Sequence, residues 1–239
     1  MRKWIAEFIG TFALVFAGTG AIVINDISHG AITHVGIALT FGLIVLAMIY
    51  TVGDISGAHL NPAVTIALAS IGAFDWAKVP MYIVAQIAGG FLGGVIVWLA
   101  YLPHWKATPD PVSKLAVFST TPAIRQPAAN FASEFIGGFA LVLALLAVLS
   151  PGNLVPGSDL AKGFGPVLVG VIVMAIGLSL GGPTGYAINP ARDLGPRIAH
   201  AVLPIYGKGS SDWSYAWIPI VAPTVGGVLG GLVYHFIWK

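Results

Sequence analysis

The tripeptide Asn-Pro-Ala occurs twice, as Asn61-Pro62-Ala63 and Asn189-Pro190-Ala191, 128 positions apart in a chain of 239 residues. Each copy closes a glycine-containing run, Ser56-Gly57-Ala58-His59-Leu60 and Thr184-Gly185-Tyr186-Ala187-Ile188. Each opens a short apolar segment, 61–70 and 189–200. Helices of ~10–12 residues rise only ~15–18 Å, about half of a ~30 Å hydrocarbon layer. Interrupted segments at matching positions of two repeats point to a permeation site near the midplane of a membrane protein.

Composition agrees. The chain is 57% hydrophobic and 8% charged, where a soluble domain carries roughly 25% charged residues. Six apolar segments are long enough to span a bilayer: 4–24, 33–52, 79–101, 130–149, 163–180 and Trp217–Trp238. The fifth is short and borrows from its flanks. Glu7-Phe8-Ile9-Gly10 recurs as Glu134-Phe135-Ile136-Gly137, and the glycine-rich run 84–94 recurs at 221–231. Each half thus reads helix, helix, half-helix, helix. An odd number of spans per half turns the halves in opposite directions. The expected fold is an all-α membrane protein with six transmembrane helices and two re-entrant half-helices in an inverted repeat. It forms one channel domain, 1–239, with repeats at about 1–101 and 129–239 joined by a polar loop, 102–128.

Other classes drop out. Cysteine is absent, which removes disulfides and thiolate metal sites. A net charge of +2 gives no reason to expect nucleic acid. No small-residue cleavage site closes the first apolar run, so no cleaved signal peptide is expected. With both termini placed inside, Arg2, Lys3, Lys78, Lys162 and Lys239 face Lys106, Lys114, Arg125, Arg192, Arg197 and Lys208 across the membrane. That balance does not decide sidedness.

The motif residues suit a pore. Pro fits the first helical turn, whose N–H has no intrahelical partner, and Asn before it serves as cap. Two helix N-termini, each carrying roughly +0.5 charge, then point at one spot, with the Asn61 and Asn189 amides as donors. A neutral solute gains hydrogen bonds there, and a cation meets a barrier. A water that accepts from both amides turns its hydrogens away from them, which interrupts a proton wire. Arg192 sits at membrane depth, where a charged residue is functional by default; the alternative is an ion pair with Asp193. Glu7 and Glu134 either accept backbone N–H bonds from their re-entrant loops or form a proton relay. Backbone carbonyls of Gly57, Ala58, His59, Thr184, Gly185 and Tyr186 are expected along the lumen, beside Ala187. The His59 ring either faces the lumen or braces the loop, and Gln86 reads as a packing group. The Gly-Gly pairs at 89–90, 93–94, 226–227 and 230–231 read as close helix contacts.

With Ala6-Glu7-Phe8-Ile9-Gly10-Thr11, Ser56-Gly57-Ala58-His59-Leu60-Asn61-Pro62-Ala63-Val64-Thr65 and Gly185-Tyr186-Ala187-Ile188-Asn189-Pro190-Ala191-Arg192-Asp193 in hand, the chain resembles the major intrinsic protein (aquaporin) family. More narrowly it is similar to the glycerol facilitators, or aquaglyceroporins. The resemblance covers essentially the whole chain and implies an aquaporin-like fold with one pore per subunit of a homotetramer. It implies an outer selectivity filter of Phe41, Gly177, Tyr186 and Arg192, with Asp193 in support. Asp193, Arg197, Pro219 and Ile220 match the aquaglyceroporin pattern. Phe41 and Tyr186 depart from it, since Trp and Phe are common there.

Implied solutes are glycerol and water, then dihydroxyacetone, urea, hydrogen peroxide and undissociated lactic acid. No cofactor, no metal and no enzymatic activity are implied. The expected setting is a bacterial plasma membrane, with lipid around the bundle and both termini cytoplasmic. Two rivals are a proton-coupled secondary transporter and an intramembrane serine hydrolase built on Ser56 and His59. The first needs a coupling carboxylate, for which the Glu pair is the candidate. The second has no histidine counterpart in the other half.

Overall fold

The computed structural model describes residues 1–27, 30–150 and 160–238; Lys239 and the side chain of Lys162, both counted in the charge balance, lie outside that description. Among the described residues, six helices are long and apolar enough to cross a bilayer. They are α1 (Arg2–Ile27), α2 (Thr33–Ser56), α4 (Val79–Ala100), α7 (Pro127–Val148), α8 (Leu160–Thr184) and α10 (Trp217–Trp238). The two half-helices are α3 (Pro62–Ser70) and α9 (Pro190–Val202). An even number of spans puts both ends of the described chain on one face of the bundle.

The largest departures from the expected boundaries are at the C-terminal ends of α2 and α8. Helix α2 continues a further turn to Ser56, where Gly57 at φ 90 turns left-handed and returns its N–H to the Gly53 carbonyl at 2.8 Å. Helix α8 runs on to Thr184 in the same way, closed by Gly185 at φ 78 and its N–H to Gly181 O at 2.9 Å. The polar loop 102–128 is more ordered than expected. It holds α5 (Leu102–Ala107) and α6 (Pro111–Phe118). Both open on a proline near N1, where the missing N–H costs nothing. Asp110 caps α6 by accepting the Val112 and Ser113 N–H groups, each at 3.0 Å. Those bonds, the Val112 N–H foremost, hold its carboxyl below the usual carboxylate range.

The two halves interlock. Helix α1 packs on α4 and α2, as α7 packs on α10 and α8. Each half-helix lies against the last span of the opposite half, α3 on α10 and α9 on α4, and α2 meets α8 across the repeat boundary. Glycines make these approaches possible. A Cβ on Gly93 would lie 2.9 Å from the Phe12 carbonyl oxygen, and one on Gly230 would lie 2.6 Å from that of Phe139. Where α2 crosses α8, a Cβ on Gly42 would meet Gly170 O at 2.6 Å, and one on Gly170 would meet Gly42 O at 2.7 Å.

Candidate functional site

The two re-entrant loops share one backbone. Gly57, Ala58 and Leu60 have φ of 90, 48 and 52; Gly185, Tyr186 and Ile188 have 78, 39 and 42. Left-handed backbone at four non-glycine residues costs of order 1–3 kcal/mol each and persists only where surroundings over-determine it. The surroundings here are two buried carboxylates. Glu7 Oε1 accepts from Ser56 Oγ at 2.6 Å and from the His59 N–H at 3.0 Å. Its Oε2 accepts from the Leu60 N–H at 2.7 Å and from Gln86 Nε2 at 2.8 Å. Glu134 Oε1 accepts from Thr184 Oγ1 at 2.6 Å and the Ala187 N–H at 2.8 Å, and its Oε2 accepts from the Ile188 N–H at 2.9 Å. Gln86 is fully buried and also donates to Thr65 Oγ1 at 3.0 Å.

Asparagine caps finish each loop. Asn61 Oδ1 accepts from the Ala63 N–H at 2.9 Å; Asn189 Oδ1 accepts from those of Ala191 at 3.0 Å and Arg192 at 3.3 Å. Each amide nitrogen reaches into the other half: Asn61 Nδ2 donates to Ile188 O and Asn189 Nδ2 donates to Leu60 O, both at 2.8 Å. The tips of α3 and α9 are thereby fastened to one another. A primary amide carries two N–H donors, so each Asn retains one beyond this bond.

Both asparagines lie on the wall of a cavity of ≈ 630 Å³. One end of the wall carries Tyr50, Asp54 and Pro166, and the other carries Phe41, Tyr186 and Arg192. Gly57, Ala58, His59 and Ala187 are on the wall between them. Much of the rest is aliphatic, including Val45, Leu141 and Val173, which sequence motifs did not mark. His59 both faces the cavity and braces its loop. Its Nδ1 is 3.1 Å from Thr65 Oγ1, and its ring meets Phe74 edge to face and Tyr82 at a tilt, at centroid distances of 4.6 and 5.1 Å. Thr65 spends its single proton on Asn61 O at 3.0 Å, which assigns the proton of the shared bond to His59 Nδ1.

Thr184, Gly185 and Gly177 stand behind the wall. Thr184 turns its hydroxyl to Glu134, and Gly185 faces Thr120. At Gly177 the side-chain space is already filled: a Cβ there would meet Cε2 and Cζ of Tyr186 at 3.0 Å. The glycine makes room for the Tyr186 ring rather than directly for solute. The Tyr186 hydroxyl is enclosed without a hydrogen-bond partner among the described residues, so it adds no polarity to the slot. Tyr186 meets Phe41 edge to face at 5.8 Å, and the Arg192 guanidinium carbon lies 5.0 Å from the Phe41 centroid.

Arg192 is 5% exposed and donates to Phe118 O at 3.4 Å. Asp193 is not its ion-pair partner. Asp193 binds Arg197 through Nε at 2.8 Å and Nη2 at 3.0 Å, and accepts from Thr120 N–H at 2.8 Å and its hydroxyl at 2.7 Å. Arg197 continues to the carbonyls of Thr120 at 3.0 Å and Ser211 at 2.8 Å. This buried pair ties the loop after α6 to the first turns of α9, and it leaves the Arg192 charge free of a carboxylate among the described ion pairs.

Residues 1–234 match the family described as major intrinsic protein. Over 242 aligned residues the chain is 51% identical to a probable glycerol uptake facilitator protein of Thermotoga maritima, covering 100% of both. It is 50% identical to the glycerol uptake facilitator protein of Bacillus subtilis, covering 100% of this chain and 86% of that one. The X-ray structure of the aquaglyceroporin from Plasmodium falciparum matches with a TM-score of 0.86 at 34% identity, covering 99% of this chain and 96% of that one.

Proposed function

Because this chain belongs to the major intrinsic protein family, we propose that it is a passive channel for glycerol and other small uncharged solutes, water among them, and that it excludes ions and protons. The observation that carries the reading is the pair of asparagines on one cavity wall, each fastened to the opposite half-helix by one amide N–H and holding another in reserve. Two half-helix N-termini and Arg192, which has no carboxylate partner among the described ion pairs, make the part of the cavity around them electropositive, which favours lone pairs over cations. Phe41 and Tyr186 give the carbon backbone of a polyol an apolar surface, while Arg192 donates to its hydroxyls. The donor-filled carboxylates of Glu7 and Glu134 support a bracing role over a proton-coupling one. Asn61, Asn189, His59 and the filter Phe41, Tyr186 and Arg192 contact solute in this reading. Gly177 acts through the Tyr186 ring, and Asp193 acts through Arg197.

The finer setting belongs to the same proposal. The chain is one subunit of a homotetramer in a bacterial plasma membrane, surrounded by lipid, with both termini cytoplasmic. Large apolar side chains on the outer faces of the spans, such as Leu43, Val84, Val171 and Val225, support a lipid or subunit boundary there. Stopped-flow light scattering on proteoliposomes tests the function, comparing water, glycerol and undissociated lactic acid beside a proton-sensitive dye. Fast, non-saturating glycerol flux without proton flux is expected. Saturable flux coupled to protons would overturn the channel reading and return attention to Glu7 and Glu134.

A further inference from the structure

His34 belongs to none of the motifs above. The chain enters α2 through Thr33 at φ 55, a left-handed residue, and His34 follows it. Its side chain crosses to α8, where Nε2 lies 2.7 Å from the Gly177 carbonyl oxygen. A carbonyl only accepts, so Nε2 carries the ring proton and acts as donor. The imidazole lies over Gly181: a Cβ there would run into its Nε2 and Cε1, and would lie 2.9 Å from Tyr186 Cδ1. His34 and Tyr186 therefore share the slot opened by two glycines one turn apart. Their rings meet edge to face at 5.7 Å and 88°. Tyr186 meets Phe41 in turn at 5.8 Å, and Phe41 lies under Arg192.

Among the described residues no hydrogen bond fixes the ring of Tyr186. Its backbone is left-handed at φ 39, and its hydroxyl has no partner among the described residues. The ring is held by what packs around it. We propose that His34 is a positioning residue of the filter, which holds Tyr186 against Phe41 by its bond to Gly177 and so sets how broad a solute passes. The proposal rests on the channel reading above and extends it to a residue outside the pore wall.

The test compares ratios of permeability, not single rates. Wild-type protein, His34→Ala, His34→Gln and Gly181→Ala are reconstituted in proteoliposomes, and swelling is followed with glycerol and with a four-carbon polyol. In His34→Ala the ratio of four-carbon polyol to glycerol rises roughly fivefold, the scale of one neutral hydrogen bond. His34→Gln restores the wild-type ratio, because its amide N–H still reaches the Gly177 carbonyl. Gly181→Ala displaces the imidazole and shifts the ratio the same way as His34→Ala. An unchanged ratio in His34→Ala with glycerol flux intact overturns the proposal, as does failure of Gln to restore it. If His34→Ala does not assemble, Gly181→Ala decides, and an unchanged ratio there overturns the proposal. Absence of glycerol flux in wild-type protein would sink the channel reading itself, and is seen before any ratio is taken.

Discussion

The two re-entrant loops are alike in backbone and unlike in surface. Residues 57–61 and 185–189 follow the same sequence of left-handed and extended conformations, hang from equivalent glutamates and exchange equivalent amide bonds. The side chains they present differ at nearly every lining position. Ala58 stands where the second loop has Tyr186, and Val64 where it has Arg192. The first loop offers the His59 ring where the second has Ala187. The two loops share the parts that fasten the half-helix ends to one another and differ in the side chains that face the cavity. Phe41, Tyr186 and Arg192 gather at one end of the cavity, while Tyr50 and Asp54 stand at the other and the His59 ring lies between them.

The largest expected effect strikes what the loops share. Glu7→Ala orphans the donors at Ser56, His59, Leu60 and Gln86, while Glu134→Ala orphans those at Thr184, Ala187 and Ile188. An unsatisfied buried donor costs about 1–3 kcal/mol. Both variants should unfold at markedly lower temperature in detergent, followed by tryptophan fluorescence, and Glu7→Ala should lose more. Equal losses would mean that Gln86 is not part of the first brace, and would make the two supports more alike than they look.

The next effect erases the difference. Arg192→Val gives the second loop the residue of the first. It removes a fixed charge 5.0 Å from the Phe41 ring centroid, so proton or cation leak should appear in dye-loaded proteoliposomes while glycerol still passes. The reverse swap, Val64→Arg, puts a second cationic side chain on the cavity wall and should slow glycerol. Unchanged leak in Arg192→Val would leave exclusion to the half-helix dipoles alone. A smaller asymmetry lies in the caps. Losing an N-cap costs typically about 1 kcal/mol. Asn189→Ala should cost more than Asn61→Ala, because Asn189 serves two N–H groups where Asn61 serves one. Thermal midpoints of the two variants measured side by side check the order.

How much of this is legible in the sequence follows the same division. The shared parts are marked by repetition: two Asn-Pro-Ala motifs, two Glu-Phe-Ile-Gly runs, and two segments too short to span. Glycine marks the first left-handed residue of each loop, but Ala58, Leu60, Tyr186 and Ile188 carry no such mark, because their conformations are imposed by the glutamates. Unshared parts are harder to read. The bond of His34 to a carbonyl 143 residues away leaves no local pattern, since any carbonyl serves as acceptor. The Gly177 and Gly181 pair was the available signal, as two small residues one turn apart leave a slot that something must fill. The alternative of an Arg192–Asp193 ion pair rests on adjacency alone, and the structure pairs Asp193 with Arg197 instead. Along a helix the partner lies four residues on, which is Arg197. Prolines 103 and 111 suggested loop where they open helices, and the Asp110-Pro111 pair was the cap signature that could have told them apart.

The smallest effect sharpens the comparison at the aromatic end. Phe41 rests in the space of Gly18: a Cβ on that glycine would lie 2.2 Å from Cε1 and Cζ of the Phe41 ring. The floor of the slot is therefore already in contact. A larger ring at position 41 cannot sink further toward α1, so its extra atoms must project toward Tyr186 and Arg192, the two groups that close the slot. Phe41→Trp should then slow solutes broader than glycerol by a few-fold and glycerol itself less, with little change in thermal stability. In the first loop the counterpart of Tyr186 is Ala58, which carries no ring. Equal slowing of broad and narrow solutes would mean that the added bulk blocks the path rather than narrowing a slot. Faster passage of broad solutes would mean that the indole displaces Tyr186, and would shift the width-setting contact from Phe41 to the His34–Tyr186 pair.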